Sequence, residues 1–156
     1  MTDLLARIRE HEKSLAANTT KVFDLPRREG FVGARFQCLD PDGLERTVDA
    51  LQADDHEHAT VDYHAALLVE ACKEIVFYDE NGKVVPQKDD LGPIRFDQRF
   101  AKLIGLEVDP NAEPEEVVKA VFTEEGRLNA QLLSGYGRTV DMWLAGVRRE
   151  QEENLA

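Results

Sequence analysis

The stretch "HAALLVEACKEIVFYDENGKVVPQ", residues 64–87, decides how this chain reads. Starting from Val61 just upstream, Ala65, Leu68, Cys72 and Ile75 recur at steps of four and three, the spacing of one helix face. That stripe predicts a helix from His58 to about Ile75. It runs directly into two short apolar runs parted by Asn81-Gly82, a dipeptide that favours a two-residue hairpin turn. Both runs are short and local, so the expectation is a β-hairpin over about 75–87, standing as an ear on a helical body.

Upstream, "TTKVFDLPRREGFVGARFQCLD" (19–40) alternates Val32, Ala34, Phe36 and Cys38 with Gly33, Arg35 and Gln37, the period of a half-buried strand. "LPRREG" supplies proline and glycine for a turn, so residues 20–39 predict a second β-hairpin. Before it, Thr2 can cap a helix bearing Leu4, Leu5, Ile8 and Leu15, which frays through "HEK" and ends near Asn18: a weakly packed N-terminal helix over 1–18. After it, "DPDGLERTVDALQA" opens on Asp40 and Pro41 and predicts a helix to about Ala53.

Downstream, "RFDQRFAKLIGLE" (95–107) carries Phe96, Phe100, Leu103 and Ile104 on one side and a terminating Gly105. "PEEVVKAVF" (114–122) puts proline and acids at a helix start, where the helix dipole favours negative charge. Residues 123–153 read as helical, with a break or kink at Gly135 to Gly137 because a glycine in a helix interior costs about 1 kcal/mol. The acidic end, 150–156, reads as a frayed tail. The expected fold is therefore mainly α within the α+β class: a single domain over 1–156, helical, with one or two β-hairpins at about 20–39 and 75–87.

A chain with 42% hydrophobic and 32% charged residues has the composition of a globular protein. Its 31 acids outnumber 19 bases, for a net charge of −12. That excess repels a phosphate backbone and an anionic membrane surface alike, so neither nucleic acid nor membrane is an expected partner. Cys38 and Cys72 stand among apolar residues, without the spacing of a zinc site or a disulfide framework, and read as reduced core thiols. The N-terminus lacks the order of a signal peptide, and no apolar run approaches a membrane span of about 18 residues.

"DDHEHATVDYH" (54–64) gathers histidines and acids and poses the question of a metal site. His56, His58 and Asp62, with Asp55, are suitable ligand types, and His58 and Asp62 share a helix face. No HExxH spacing accompanies them, and a polar loop leading into a helix explains the same letters. No nucleophile elbow surrounds Ser14 or Ser134, and "GYG" is not a phosphate loop, so no cofactor and no enzymatic activity are expected. Val140, Trp143, Leu144 and Val147 form an apolar face near the chain end that reads as a partner-binding surface or as core.

Three stretches carry a family likeness: "VFDLPRREGFVGARFQCLD", "HAALLVEACKEIVFYDENGKVVP" and "IRFDQRFAKLIGLEVDPNAEPEEVVKAVF". With the tryptophan-bearing acidic helix that follows, they resemble the tail assembly chaperones of long-tailed bacteriophages and prophages, of the type found in actinobacterial phages, over about residues 20–153. Leu25 and Pro26, then Ala34, Arg35 and Phe36, are similar to that family's opening hairpin; Ala71 and Cys72 to the small pair closing its central helix before the Asn81-Gly82 turn. Arg95, Phe96 and Asp97, then Ala101, Leu103, Gly105 and Leu106, resemble its "RFD..LA..LGL" segment, and Val117, Val118, Val121 and Phe122 the helix after it. The chain departs from the family beyond Phe122, where "TEEGRLNAQLLSGYGRTV" replaces a Gly-Asn-Asp-like turn and a longer polar helix.

The resemblance implies a non-enzymatic protein that binds the tape measure protein before the tail tube polymerises, helps recruit tail tube subunits and is absent from the finished virion. It implies action in the cytoplasm of the bacterial host, self-association along the client, and a longer frameshifted form. Two other readings stay open from the sequence: a virion structural protein, such as a head-tail connector or minor tail component, and a small metal-dependent enzyme using residues 54–64.

Overall fold

The computed structural model describes residues 3–10, 19–39 and 56–155; of 56–59 and 151–155 it describes the backbone. The helix expected over 40–53, and His11, fall outside the described residues. In chain order the elements are α1 (3–10), β1 (Thr20–Asp24), β2 (Val32–Gln37), α2 (His56–Ala71), β3 (Cys72–Tyr78), β4 (Val84–Pro86), β5 (Lys88–Asp89), β6 (Gly92–Pro93), α3 (Gln98–Leu103), α4 (Pro114–Val121), β7 (Thr123–Glu124), β8 (Arg127–Leu128) and α5 (Ala130–Leu155).

The expectation of a mainly helical body with hairpins as appendages is corrected. The two hairpins fuse into one four-stranded antiparallel sheet of order β1-β2-β3-β4, making this an α+β fold. Their joint is the pairing of β2 with β3, in which Val32 meets Phe77, Ala34 meets Ile75 and Phe36 meets Cys72. Burial drives it: Ala34, Phe36, Cys72 and Ile75 are all fully buried, so a hairpin left as an ear would expose them to water. The β3–β4 hairpin thus contributes an inner strand of the sheet. Its loop is also longer than two residues, since the Asp79 N–H bonds Lys83 O and the Asp79 carboxylate accepts from the N–H groups of Asn81 and Lys83.

The helix stripe also ends earlier than its spacing predicts. Helix α2 stops at Ala71, and Cys72 opens β3 with no intervening loop. Arg35 pairs with Glu74 and Phe36 with Cys72, so Lys73 is an extra residue in the ladder. That bulge returns Cys72 to the face occupied by Ile75, and so a strand keeps a three-residue apolar spacing that imitates a helix. Arg95 closes the joint: its Nε donates to Cys72 O at 2.7 Å, and its Nη2 to Val69 O at 2.6 Å and Glu70 O at 3.5 Å. A guanidinium on the last carbonyls of α2 does the work that a C-terminal glycine cap does elsewhere.

The next two residues extend the same logic. Phe96 is buried, with its ring centroid 6.5 Å from that of Phe36 and 5.7 Å from that of Phe100. Asp97 caps α3 by accepting from the N–H groups of Arg99 and Phe100. Gly105, at φ 72°, ends the α3 turn in the left-handed region. Helix α4 buries Val117, Val118 and Val121 in the same core.

Residues 123–153 are not one interrupted helix. "TEEGRL" folds as the tight hairpin β7–β8, with Glu125 (φ 51°) and Gly126 (φ 78°) both left-handed, as a primed hairpin turn requires. Helix α5 then runs unbroken through Gly135 and Gly137 to Leu155. Gly137 is buried against α2: a Cβ there would lie 2.7 Å from Cβ, Cγ and Cδ2 of His64. The glycine that reads as a break is a point at which α5 and α2 approach closely.

Candidate functional site

The face expected to bind a partner lies mostly within the fold. Val140 and Leu144 are fully buried and Val147 nearly so, all inward from α5. Trp143 is half-buried, its ring edge-on to Phe23 of β1 at 5.9 Å. Beside it the Tyr136 hydroxyl donates to Phe23 O at 2.9 Å, and the Tyr136 ring lies against Phe36 and Phe122. Burial holds the Tyr136 hydroxyl well above the ordinary tyrosine range, so it stays a donor. Tyr136 therefore ties α5 to the sheet, a role that its place between two glycines disguises.

Of the candidate metal ligands, the structure describes the side chain of Asp62. Asp62 on α2 is ion-paired with Lys119 on α4 at 2.6 Å, with both side chains about one-third exposed (37% and 34%). The side chains of His56 and His58 lie outside the described residues. Among the described residues, no group of three or more His, Cys, Asp or Glu side chains could hold a metal ion.

A polar cluster that the spacing did not indicate lies where α2 crosses α5. The Tyr63 hydroxyl donates to Asp141 at 3.3 Å, and His64 is buried with Nδ1 unpartnered. Desolvation lowers the His64 pKa; Arg138 lowers it further, while Asp141 and a backbone bond to Thr60 oppose. The imidazole is thereby kept neutral against Gly137. Cys38 and Cys72 are both free thiols, and complete burial pushes the Cys72 thiol up to about 12. A thiol so protonated is a core residue and a poor nucleophile.

Uncovered apolar residues lie elsewhere. Every residue of α1 is exposed, Leu4, Leu5 and Ile8 included. Phe31, at the β1–β2 turn, and Leu91, at the β5–β6 turn, are 74% and 83% exposed. Met142 projects outward from α5. No helix among the described residues is long and apolar enough to cross a membrane.

Comparison with protein-family models, with curated proteins and with solved structures finds no significant match to this chain.

Proposed function

We propose that this chain is a tail assembly chaperone, binding the tape measure protein and helping to recruit tail tube subunits in the cytoplasm of the bacterial host. The resemblance of residues 20–153 motivates the reading. The observation that carries it is α1, a helix within residues 3–10 whose Leu4, Leu5 and Ile8 are all uncovered. A helical segment whose apolar residues are all uncovered gains little from tertiary packing, and its stability depends on something that covers its apolar side. A long helical client offers that cover by helix-in-groove contact. Weak contacts repeated by several copies along one client suffice through avidity. Because Val140, Leu144 and Val147 are used by the core, α1 is the better candidate for the client-binding surface.

The test is co-expression with the tape measure protein encoded in the same genome, scoring soluble client and co-purification. The expected result is client that is soluble only in the presence of this chain. A variant with Leu4, Leu5 and Ile8 all changed to serine should stay folded and lose the client. A client indifferent to the wild-type chain overturns the reading, and detection of the chain in purified virions would then favour a structural subunit.

A further inference from the structure

Asn81 is followed by glycine, whereas Asn18, Asn111, Asn129 and Asn154 precede Thr19, Ala112, Ala130 and Leu155. Asn81 and Gly82 lie exposed at the tip of the β3–β4 hairpin, and no hydrogen bond reaches the Asn81 carboxamide among the described residues. The Asn129 side chain is committed, accepting from the Leu132 N–H at 3.0 Å and donating to Glu124 at 3.4 Å. Asn111 is exposed as Asn81 is, but the backbone nitrogen that follows it is flanked by the Ala112 methyl. Gly82 places no side chain between its nitrogen and an approaching carbonyl carbon.

Asp79 holds the tip together. Its carboxylate accepts from the Asn81 N–H at 2.9 Å and from the Lys83 N–H at 2.8 Å. Its main chain adds two bonds, from Gly82 N–H to Asp79 O at 3.0 Å and from Asp79 N–H to Lys83 O at 2.9 Å. The Gly82 N–H therefore points into the turn, and the nitrogen cannot lose its proton and face the Asn81 side chain while it donates to Asp79 O. All these bonds lie at an exposed tip beyond the buried part of β3, so they can open locally while the core stays intact. Asp79 and Glu80 set two negative charges against the one positive charge of Lys83 around this tip.

We infer that Asn81 is a site of spontaneous covalent modification, deamidation through a cyclic imide, and that Asp79 sets its rate by holding the turn closed. When the turn opens, hydroxide takes the Gly82 N–H proton and the nitrogen attacks Asn81 Cγ. The new N–Cγ bond forms as the Cγ–Nδ2 bond breaks, and Nδ2 takes up a proton from water and leaves as ammonia. Water then opens the imide at either carbonyl. Breaking the new N–Cγ bond gives aspartate; breaking the original Asn81–Gly82 amide bond gives isoaspartate, whose main chain runs through Cγ. Nothing is oxidised or reduced. Either product adds a negative charge to a chain already at −12. Isoaspartate also inserts a methylene into the main chain just beyond the pairing of Tyr78 with Val84, so the Asp79–Lys83 closure is lost. The inference rests on this turn alone and does not depend on the chaperone reading.

Incubation of the full, folded chain in mildly alkaline buffer tests it, with samples digested in acid and mapped by mass spectrometry that separates asparaginyl, aspartyl and isoaspartyl peptides. Asn81 should be converted ahead of Asn111 and Asn129, with isoaspartate among the products and a rate that rises with pH. Asp79→Ala should speed the conversion roughly tenfold, because it removes two hydrogen bonds to a charged acceptor and lets the turn open more often. Asp79→Asn keeps an oxygen acceptor without the charge and should stay nearer to the wild type. Asn81→Gln, which would need a larger ring, should show no conversion at this position. The substituted positions are exposed, and circular dichroism checks that each variant is folded. An Asn81 that persists as long as Asn111 overturns the site. A rate unchanged by Asp79→Ala, or raised equally by Asp79→Ala and Asp79→Asn, overturns the role of the closed turn.

Discussion

Replacing Gly137 by alanine sets two large effects against each other. Alanine is favoured over glycine in a helix interior by about 1 kcal/mol, so the local effect is stabilising. The new methyl would stand 2.7 Å from three carbons of His64, where carbon pairs prefer about 3.5–4.0 Å, so α2 and α5 must part by roughly 1 Å. One of those carbons is the His64 Cβ, fixed to the α2 backbone, and the ring cannot relieve that contact by turning. Overpacking of this kind costs about 1–3 kcal/mol. Taking the upper half of that range, Gly137→Ala should be destabilised by about 1–2 kcal/mol. Gly135 is the control: it lies two residues away on the other side of the same helix, is exposed and meets nothing within 4 Å, so Gly135→Ala should gain up to about 1 kcal/mol. Urea unfolding followed by the fluorescence of Trp143, the sole tryptophan, reads both variants. In a His64→Ala background, which removes Cγ and Cδ2 but keeps Cβ, the Gly137→Ala penalty should shrink without vanishing. A Gly137→Ala protein as stable as Gly135→Ala would refute the close helix crossing and the account of why α5 is unbroken.

Arg95→Ala strips the α2–β3 joint of its cap; with charged hydrogen bonds contributing about 1.5–3 kcal/mol, and water able to reach the exposed carbonyls, the loss should be about 2 kcal/mol and Tm should fall by roughly 4–8 °C. A Tm unchanged by Arg95→Ala would mean that the carbonyls are satisfied otherwise. The His64 pKa is depressed in the folded state, so between its folded and unfolded values the unfolded chain binds the extra proton. Its contribution to stability is complete above the unfolded value, about 6.5, and is lost progressively as pH falls below it. Stability of the wild type should therefore drop more steeply from pH 7 to pH 5 than that of His64→Gln; parallel curves would show that His64 is not held neutral.

What the sequence disclosed and what it concealed divide along the reach of the interactions. The first hairpin was legible because its signals are local: the proline and glycine of "LPRREG" and the alternation from Val32 to Phe36. The union of the hairpins was not, because the pairing of Phe36 with Cys72 joins residues far apart in the chain, and no local period encodes it. The end of α2 was hidden by a bulge at Lys73 that copies helical spacing, and the β7–β8 turn by a glutamate, Glu125, in a conformation that usually calls for glycine or asparagine. Gly137 was misread for a related reason, since its helix-breaking tendency is intrinsic and its contact with His64 is tertiary. An apolar stripe such as Val140, Trp143, Leu144 and Val147 has the same letters whether it meets its own core or another protein. Only the packing of Tyr136 and Phe23 around it tells these apart.

The seam at Ala71 and Cys72 bears on how chains of this kind can change length. A residue inserted in α2 beside the seam would turn the preceding helix by about 100° relative to the sheet. One inserted after it would carry every following side chain of β3 to the opposite face. Either error would scramble the core on one side, and no loop exists at this point to absorb it. Insertions and deletions should therefore be filtered out across the whole stretch from Val61 to Tyr78, which can vary by substitution alone.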